Sequence, residues 1–144
     1  MKVIVIGPRG KMGKLITQVA AERDDMELVA GVAPAGRDYV GQDLGMVALI
    51  GRNLGVPVVD DLAAVIDGCD VIIDFSTREN ALKVLDLAVK HGKALVCGTT
   101  GFSEEEFARF KEAAKTIPML YAANTSKLVN IMNKLLEMVT KTLG

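Results

Sequence analysis

Val3-Ile4-Val5-Ile6-Gly7-Pro8-Arg9-Gly10-Lys11-Met12-Gly13 is the stretch that decides the fold. Four consecutive β-branched residues make a strand that is apolar on both faces, as a central strand of a parallel sheet must be. The glycines that follow let the backbone turn tightly into a helix, whose free N–H groups and dipole favour an anion. Gly7 and Gly10 keep Cβ atoms away from a phosphate, Gly13 permits close packing of helix on strand, and Arg9 and Lys11 add positive charge beside them. A purely structural glycine turn would also explain the motif. The strand before it and the helix after it favour a dinucleotide pyrophosphate site, in the G-x-x-G-x-x-G variant of the more common spacing.

Outward from this unit, strand and helix patterns alternate to the end of the chain. Strands are expected at Lys2–Ile6, Met26–Val32, Pro57–Val59, Asp70–Phe75, Ala94–Cys97 and Pro118–Ala122. Helices are expected from Gly10 to about Arg23, Asp61 to Asp67, Glu79 to Lys90, after Ser103, and from Asn124 onwards. Met12, Leu15, Ile16, Val19 and Ala20 form the apolar face of the first helix, and Ser103 with Glu106 forms a capping box. Residues 33–56 are rich in glycine and read as a long binding loop with at most one weak helix. The last helix carries Leu128, Val129, Ile131, Met132, Leu135, Leu136, Met138 and Val139. This broad face is expected to pack on the sheet, with part of it left for a second copy or a partner subunit. The fold class is α/β: a Rossmann-type, doubly wound parallel sheet of about six strands with helices on both faces, forming one dinucleotide-binding domain over residues 1–144.

The composition narrows the function. Half of the 144 residues are apolar, Trp is absent, and the formal charge is −1, which suits one domain with a continuous core. No basic patch or run marks a nucleic-acid or membrane partner, and the apolar stretches fall short of the ~20 residues that span a bilayer. Met1-Lys2 leads straight into a strand, so no secretory signal is expected, and Cys69 and Cys97 read as buried free thiols of a cytoplasmic protein. Neither cysteine has metal-ligand spacing, and no metal site is expected.

Ligands of such sheets lie beyond the carboxyl ends of the strands. Asp74-Phe75-Ser76-Thr77 ends the fourth strand, where Ser76 or Thr77 suits a helix N-cap and Phe75 and Ser76 would border a ligand. Gly98-Thr99-Thr100-Gly101-Phe102 offers backbone and hydroxyl donors at the next strand end. Ala122-Ala123-Asn124-Thr125-Ser126 places small residues and an amide at a helix start, where capping by Asn124 or Ser126 is the plainer reading. The loop after the second strand, Gly31-Val32-Ala33-Pro34-Ala35-Gly36-Arg37-Asp38, lacks the acid that binds an adenosine ribose. Arg37 would meet a 2′-phosphate there or remain a solvated loop residue.

In order and spacing, these four loops resemble the dihydrodipicolinate reductase family of lysine biosynthesis. The matching residues are Gly7 to Gly13 with Met12 before the third glycine, Ile73-Asp74-Phe75-Ser76, Gly98-Thr99-Thr100-Gly101-Phe102, and Ala122 to Ser126 with Asn130. The resemblance covers only the family's amino-terminal, nucleotide-binding part. It implies NADPH or NADH as cofactor, with Gly7, Arg9, Gly10, Lys11 and Met12 at the pyrophosphate and adenosine side. Gly98, Thr99 and Thr100 would meet the nicotinamide, Ala122, Ala123, Asn124 and Thr125 would complete the wall, and Thr100 and Gly101 would face the substrate. The family's His-His-x-x-Lys motif and Ser-Gly-Thr anion loop do not occur in the sequence, and Lys127-Leu128 replaces a usually small pair. The single histidine, His91, reads as a helix C-terminal residue. No catalytic residue is assigned, and cofactor binding without independent turnover is expected. A non-catalytic nucleotide-sensing or interaction module and one subunit of a split oxidoreductase are the alternatives.

Overall fold

The computed structural model describes residues 1–143 of the chain. Its centre is a six-stranded, all-parallel sheet of β1 (Lys2–Ile6), β2 (Glu27–Val32), β3 (Val58–Val59), β4 (Val71–Asp74), β5 (Ala94–Cys97) and β6 (Met119–Tyr121). The spatial order is β3-β2-β1-β4-β5-β6, so the winding reverses between β1 and β4. That reversal opens the crevice in which doubly wound sheets bind ligands. The helices are α1 (Lys11–Ala21), α2 (Leu44–Val47), α3 (Arg78–His91), α4 (Glu104–Ala113) and α5 (Lys127–Leu143).

The period-two alternation of β1 builds the two layers. Val3 and Val5 meet Val71 and the partly buried Ile16 of α1 on one face. Ile4 and Ile6 point the other way, toward Ile72, Leu95, Val84 and Leu85 of α3 and Phe110 of α4. Every one of these strand residues is at most 7% exposed, which explains the continuous apolar run in the sequence.

Three expectations need correction. The buried stripe of α1 is Gly13, Thr17 and Ala20 with Ile16 half-buried, while Met12, Leu15 and Val19 are exposed. Close approach of Gly13 to the preceding turn sets the rotation of the helix. Thr17 tolerates burial because its hydroxyl donates to the Gly13 carbonyl at 2.8 Å. The helix expected at Asp61–Asp67 is a turn ending in a single 3₁₀ segment, Ile66–Gly68: Asp61 caps the turn through Ala63 N–H, but Val65, Gly68 and Cys69 bond three residues back, and so short a stretch does not offset helix nucleation. As expected, His91 ends α3 before Gly92, whose left-handed conformation closes the helix, and the imidazole Nδ1 lies 2.8 Å from the Asp67 carboxylate. Finally, α5 does not pack on the sheet: Leu128, Ile131, Met132, Leu135, Leu136, Met138 and Val139 are each 47–74% exposed.

The glycine-rich stretch after β2 is tied to residues 56–58 by backbone bonds, Gly41 N–H to Val58 O at 2.7 Å and Leu44 N–H to Val56 O at 2.8 Å, and by the Asp43 side chain. Asp43 caps α2 and accepts backbone N–H bonds from Gly45, Leu54, Gly55 and Val56 at 2.7–3.2 Å. Leu44, Val47 and Val58 pack beneath as a small core of their own. No helix of the described residues is long and apolar enough to cross a membrane.

Candidate dinucleotide-binding site

The turn after β1 starts from Gly7, whose φ of +68° is open to glycine at little cost. Its N–H donates to the Val32 carbonyl at 2.8 Å, tying the turn to the end of β2, and Gly10 N–H closes the turn onto Gly7 O at 2.9 Å. No side chain caps α1 at Gly10, so the first N–H groups of the helix lack a side-chain partner and present a positive dipole end. Such an uncapped start suits an anion.

Beside this turn lies a cleft of about 620 Å³, bounded by Gly7 and Gly10, by Ala33 to Arg37 after β2, by Asp60 to Leu62 after β3, and by Phe75 to Thr77 at the end of β4. The remaining wall is α3, through Asn80, Lys83, Val84 and Leu87. Of the residues expected at the cofactor, the cleft gathers Gly7, Gly10, Arg37, Phe75 and Ser76. Arg9 stands in an adjoining pocket, held by the Asp38 carboxylate at 2.7 Å and over the Tyr39 ring at 5.0 Å. Lys11 and Met12 are exposed on the first turn of α1, outside the lining. The sequence reading missed Tyr39, Asp60, Asp61, Asn80, Lys83 and Leu87. Two acids directly after the β3 pattern, and the 80/83/84/87 spacing on α3, were the available signals.

The loops expected at the nicotinamide end lie beyond this cleft, and a buried connection joins them to it. Asp74 is fully buried, and its Oδ1 accepts the Ser76 N–H at 2.8 Å. The same N–H reaches the Thr99 hydroxyl at 3.0 Å, so the Thr99 side chain, 6% exposed, serves the connection and is not free for a ligand. Gly98 is required by close approach: a Cβ there would overlap the Phe75 ring. Thr100 and Gly101 are exposed, and Phe102 anchors the loop in an aromatic cluster, with its ring 4.7 Å from Phe110 and 6.0 Å from Tyr121. Ala123, Asn124 and Thr125 are exposed and Ala122 is half-buried. The Asn124 side chain accepts Ser126 N–H at 2.8 Å and Ser126 caps the helix through Val129 N–H at 3.4 Å, in line with the plainer reading. Thr77 caps α3 through Asn80 N–H, and Ser76 Oγ accepts from the Asn80 amide at 3.0 Å.

Burial governs the titrating groups here. It pushes the Asp74 carboxyl up, only partly opposed by the bond from Ser76, because Oδ2 has no hydrogen-bond partner. It also raises the neighbouring Cys97 thiol to about 11, so this cysteine is an inert buried thiol, as is Cys69. Among the described residues, no group of three or more His, Cys, Asp or Glu could hold a metal ion. A carboxyl whose folded pKa is raised favours the folded state most below its unfolded pKa, and that advantage is lost as pH rises through the folded value. Asp74→Asn keeps the acceptor for Ser76 and removes the buried charge. It is expected to raise the unfolding midpoint at about pH 8 by roughly 3 °C and to give no gain at about pH 3, read by thermal melts at both values.

Fold and cleft together define a dinucleotide-binding domain of the Rossmann type. The chain belongs to the dihydrodipicolinate reductase family: the family model described as "Dihydrodipicolinate reductase, N-terminus" matches residues 1–125. The 4-hydroxy-tetrahydrodipicolinate reductase of Geobacter metallireducens is 45% identical over 144 residues, covering 100% of this chain and 53% of that protein. The enzyme of the same name from Hahella chejuensis is 41% identical over 143 residues, again with 53% of its length covered. The chain thus spans about half the length of the curated relatives it matches. Among solved structures, dipicolinate-bound dihydrodipicolinate reductase from Paenisporosarcina sp. TG-14 superposes with a TM-score of 0.70 at 28% identity, over 86% of this chain and 47% of that one. An amine dehydrogenase from Mycobacterium smegmatis gives 0.69 at 25% identity, over 84% of this chain and 38% of that one.

Proposed function

We propose that this chain is the NADPH- or NADH-binding unit of a 4-hydroxy-tetrahydrodipicolinate reductase. The carrying observation is that the family match covers all the strands of the sheet and that the cleft opens where their order reverses. The adenosine half of the cofactor lies in the cleft and the pyrophosphate on Gly7, Gly10 and the free start of α1. The nicotinamide reaches Thr100, the backbone of Gly98 and Thr99, and the backbone of Ala122 to Thr125, with Thr100 and Gly101 toward the substrate. Bound there, the cofactor supplies a hydride. This chain's residues bind and orient it: Phe75 packed on Gly98 and the shared Ser76 N–H hold the two ends in register. A proton donor and a carboxylate clamp for the substrate are not assigned to any residue of the chain, so turnover requires groups contributed by another segment or subunit. The exposed apolar face of α5 favours this reading of a shared site, since ordering that face against a second copy or a partner subunit would remove it from water.

Calorimetric titration with NADPH and NADH tests the proposal. Micromolar binding is expected, and Gly98→Val, which drives the Phe75 ring from its seat, is expected to weaken it at least about tenfold. If the folded wild-type chain takes up neither cofactor, the proposal fails.

A further inference from the structure

We infer that the face of β4, β5 and β6 on the α1 side of the sheet is a docking seat for α5 of a second copy of this chain, each copy giving its helix to the other. This goes beyond the cofactor reading and does not depend on it.

A parallel sheet is ordinarily buried on both faces. One face here obeys the rule: Ile4, Ile72 and Leu95 are at most 1% exposed and pack with residues of α3 and α4. On the other face the cover is uneven. The register Val5, Ile73, Val96, Leu120 runs as one row from β1 to the edge strand β6. Along it, Val5 is fully buried, Ile73 and Val96 are half-buried, and Leu120 is 57% exposed. Among the described residues, Ile16 of α1 is the one helical side chain in the apolar cluster on this face. The half of the sheet beyond β1 is therefore an apolar floor without a roof.

A wall borders that floor. Gln18 marks the α2 side of α1, where its amide donates to Ala48 O at 2.9 Å. Met12 and Val19 stand about 100–120° round the helix from Gln18, toward β4. They are 37% and 58% exposed.

The unpartnered helix fits this shape. Seven exposed apolar side chains, from Leu128 to Val139, spread over about 160° of α5, wider than the roughly 100° stripe that meets a single surface. A floor with a wall takes such a face. The helix is held away from its own sheet at the link 122–126. The Asn130 amide donates to Asn124 O at 3.3 Å and to Ser126 O at 3.0 Å, locking the link to the first turn. A 17-residue helix left unpacked is marginal in water, so α5 needs cover.

Each chain carries both the seat and the helix, so one two-fold axis satisfies both at once. The seven side chains alone present roughly 750 Å² of accessible surface, close to the ~800 Å² per partner of a standard stable interface, and the contact is made twice.

Gel filtration with light scattering tests the inference. The wild-type chain is expected at about twice its 15.3 kDa at micromolar concentration. Leu120→Glu alters the seat and Leu135→Glu the helix, both at side chains more than half exposed, and cooperative thermal melts check that each variant folds. Each alone is expected to weaken the dimer at least about thirtyfold. Mixed together, they retain one intact contact, the helix of the first in the seat of the second, and should associate at concentrations where each alone is monomeric. A wild type that stays monomeric up to roughly 100 μM would leave the seat to another partner and overturn the inference. A dimer untouched by Leu120→Glu, or a mixture that fails to associate, would overturn it in favour of helix packed on helix.

Discussion

Gly13→Ala is expected to destroy the glycine turn after β1, with NAD(P)H affinity falling at least a hundredfold and stability dropping by roughly 3 kcal/mol. A Cβ at this position would overlap the Gly7 carbonyl oxygen and stand 2.9 Å from both Gly7 C and Pro8 Cα. All of these are backbone atoms, so no side chain can swing aside. Relief requires α1 to move away from the turn, which breaks the Gly10 N–H bond to Gly7 O and misaims the free helix start. Gly10→Ala is the internal comparison. Its Cβ would lie 3.1 Å from Gly7 O, a contact that yields with a shift of a few tenths of an ångström. Thermal melts and cofactor titration of the two variants should therefore separate clearly. Similar losses in both would show that the glycines matter through chain flexibility and not through the contact at position 13.

Asp43→Ala is expected to cost about 2–4 kcal/mol. One carboxylate accepts from Gly45, Leu54, Gly55 and Val56, closing a loop with no sheet ladder of its own. Truncation leaves these donors to water or to nothing, and Leu44, buried completely beneath them, loses its cover. Partial burial would raise this carboxyl, but the donated backbone bonds outweigh it and hold the group below the ordinary carboxylate range. A depressed pKa contributes stability above the unfolded value and loses it as pH falls through the folded one. Wild type should thus show an acid-dependent loss of stability below the usual aspartate range that Asp43→Ala lacks. Denaturant melts across acid pH measure this, and parallel curves would contradict it.

How far the sequence reveals this molecule depends on whether a feature is local. The run Val3–Ile6 with its three glycines is self-contained, and the strand, turn and helix it predicts all form. The Ser103–Glu106 box and the strand Ala94–Cys97 are equally local, and both stand as expected. The rotation of α1 was not legible, because apolar spacing cannot announce that a glycine contact outranks a leucine. Asp43 escaped notice for a related reason: its partners are 2 to 13 residues away, with no motif to link them. The candidate site divides along the same line. Its glycines and strand-end residues were found by pattern, whereas Lys83 and Asp60 emerge only when the topology brings α3 and the end of β3 to one cleft. The course of α5 was misjudged because amphipathicity says that a face wants cover and not which surface supplies it.

The single amide shared by Asp74 and Thr99 has a mechanical meaning. Ser76 N–H is grasped by one oxygen from β4 and one from the loop after β5, so it acts as a splice between the carboxyl ends of two neighbouring strands. Any shift of the Gly98–Gly101 loop pulls on the Ser76 side of the cleft through one hydrogen bond, and any ligand seated in that cleft resists the pull. The two ends of a dinucleotide would then be gripped by a single stiff part, and the cofactor would be registered as one object instead of two.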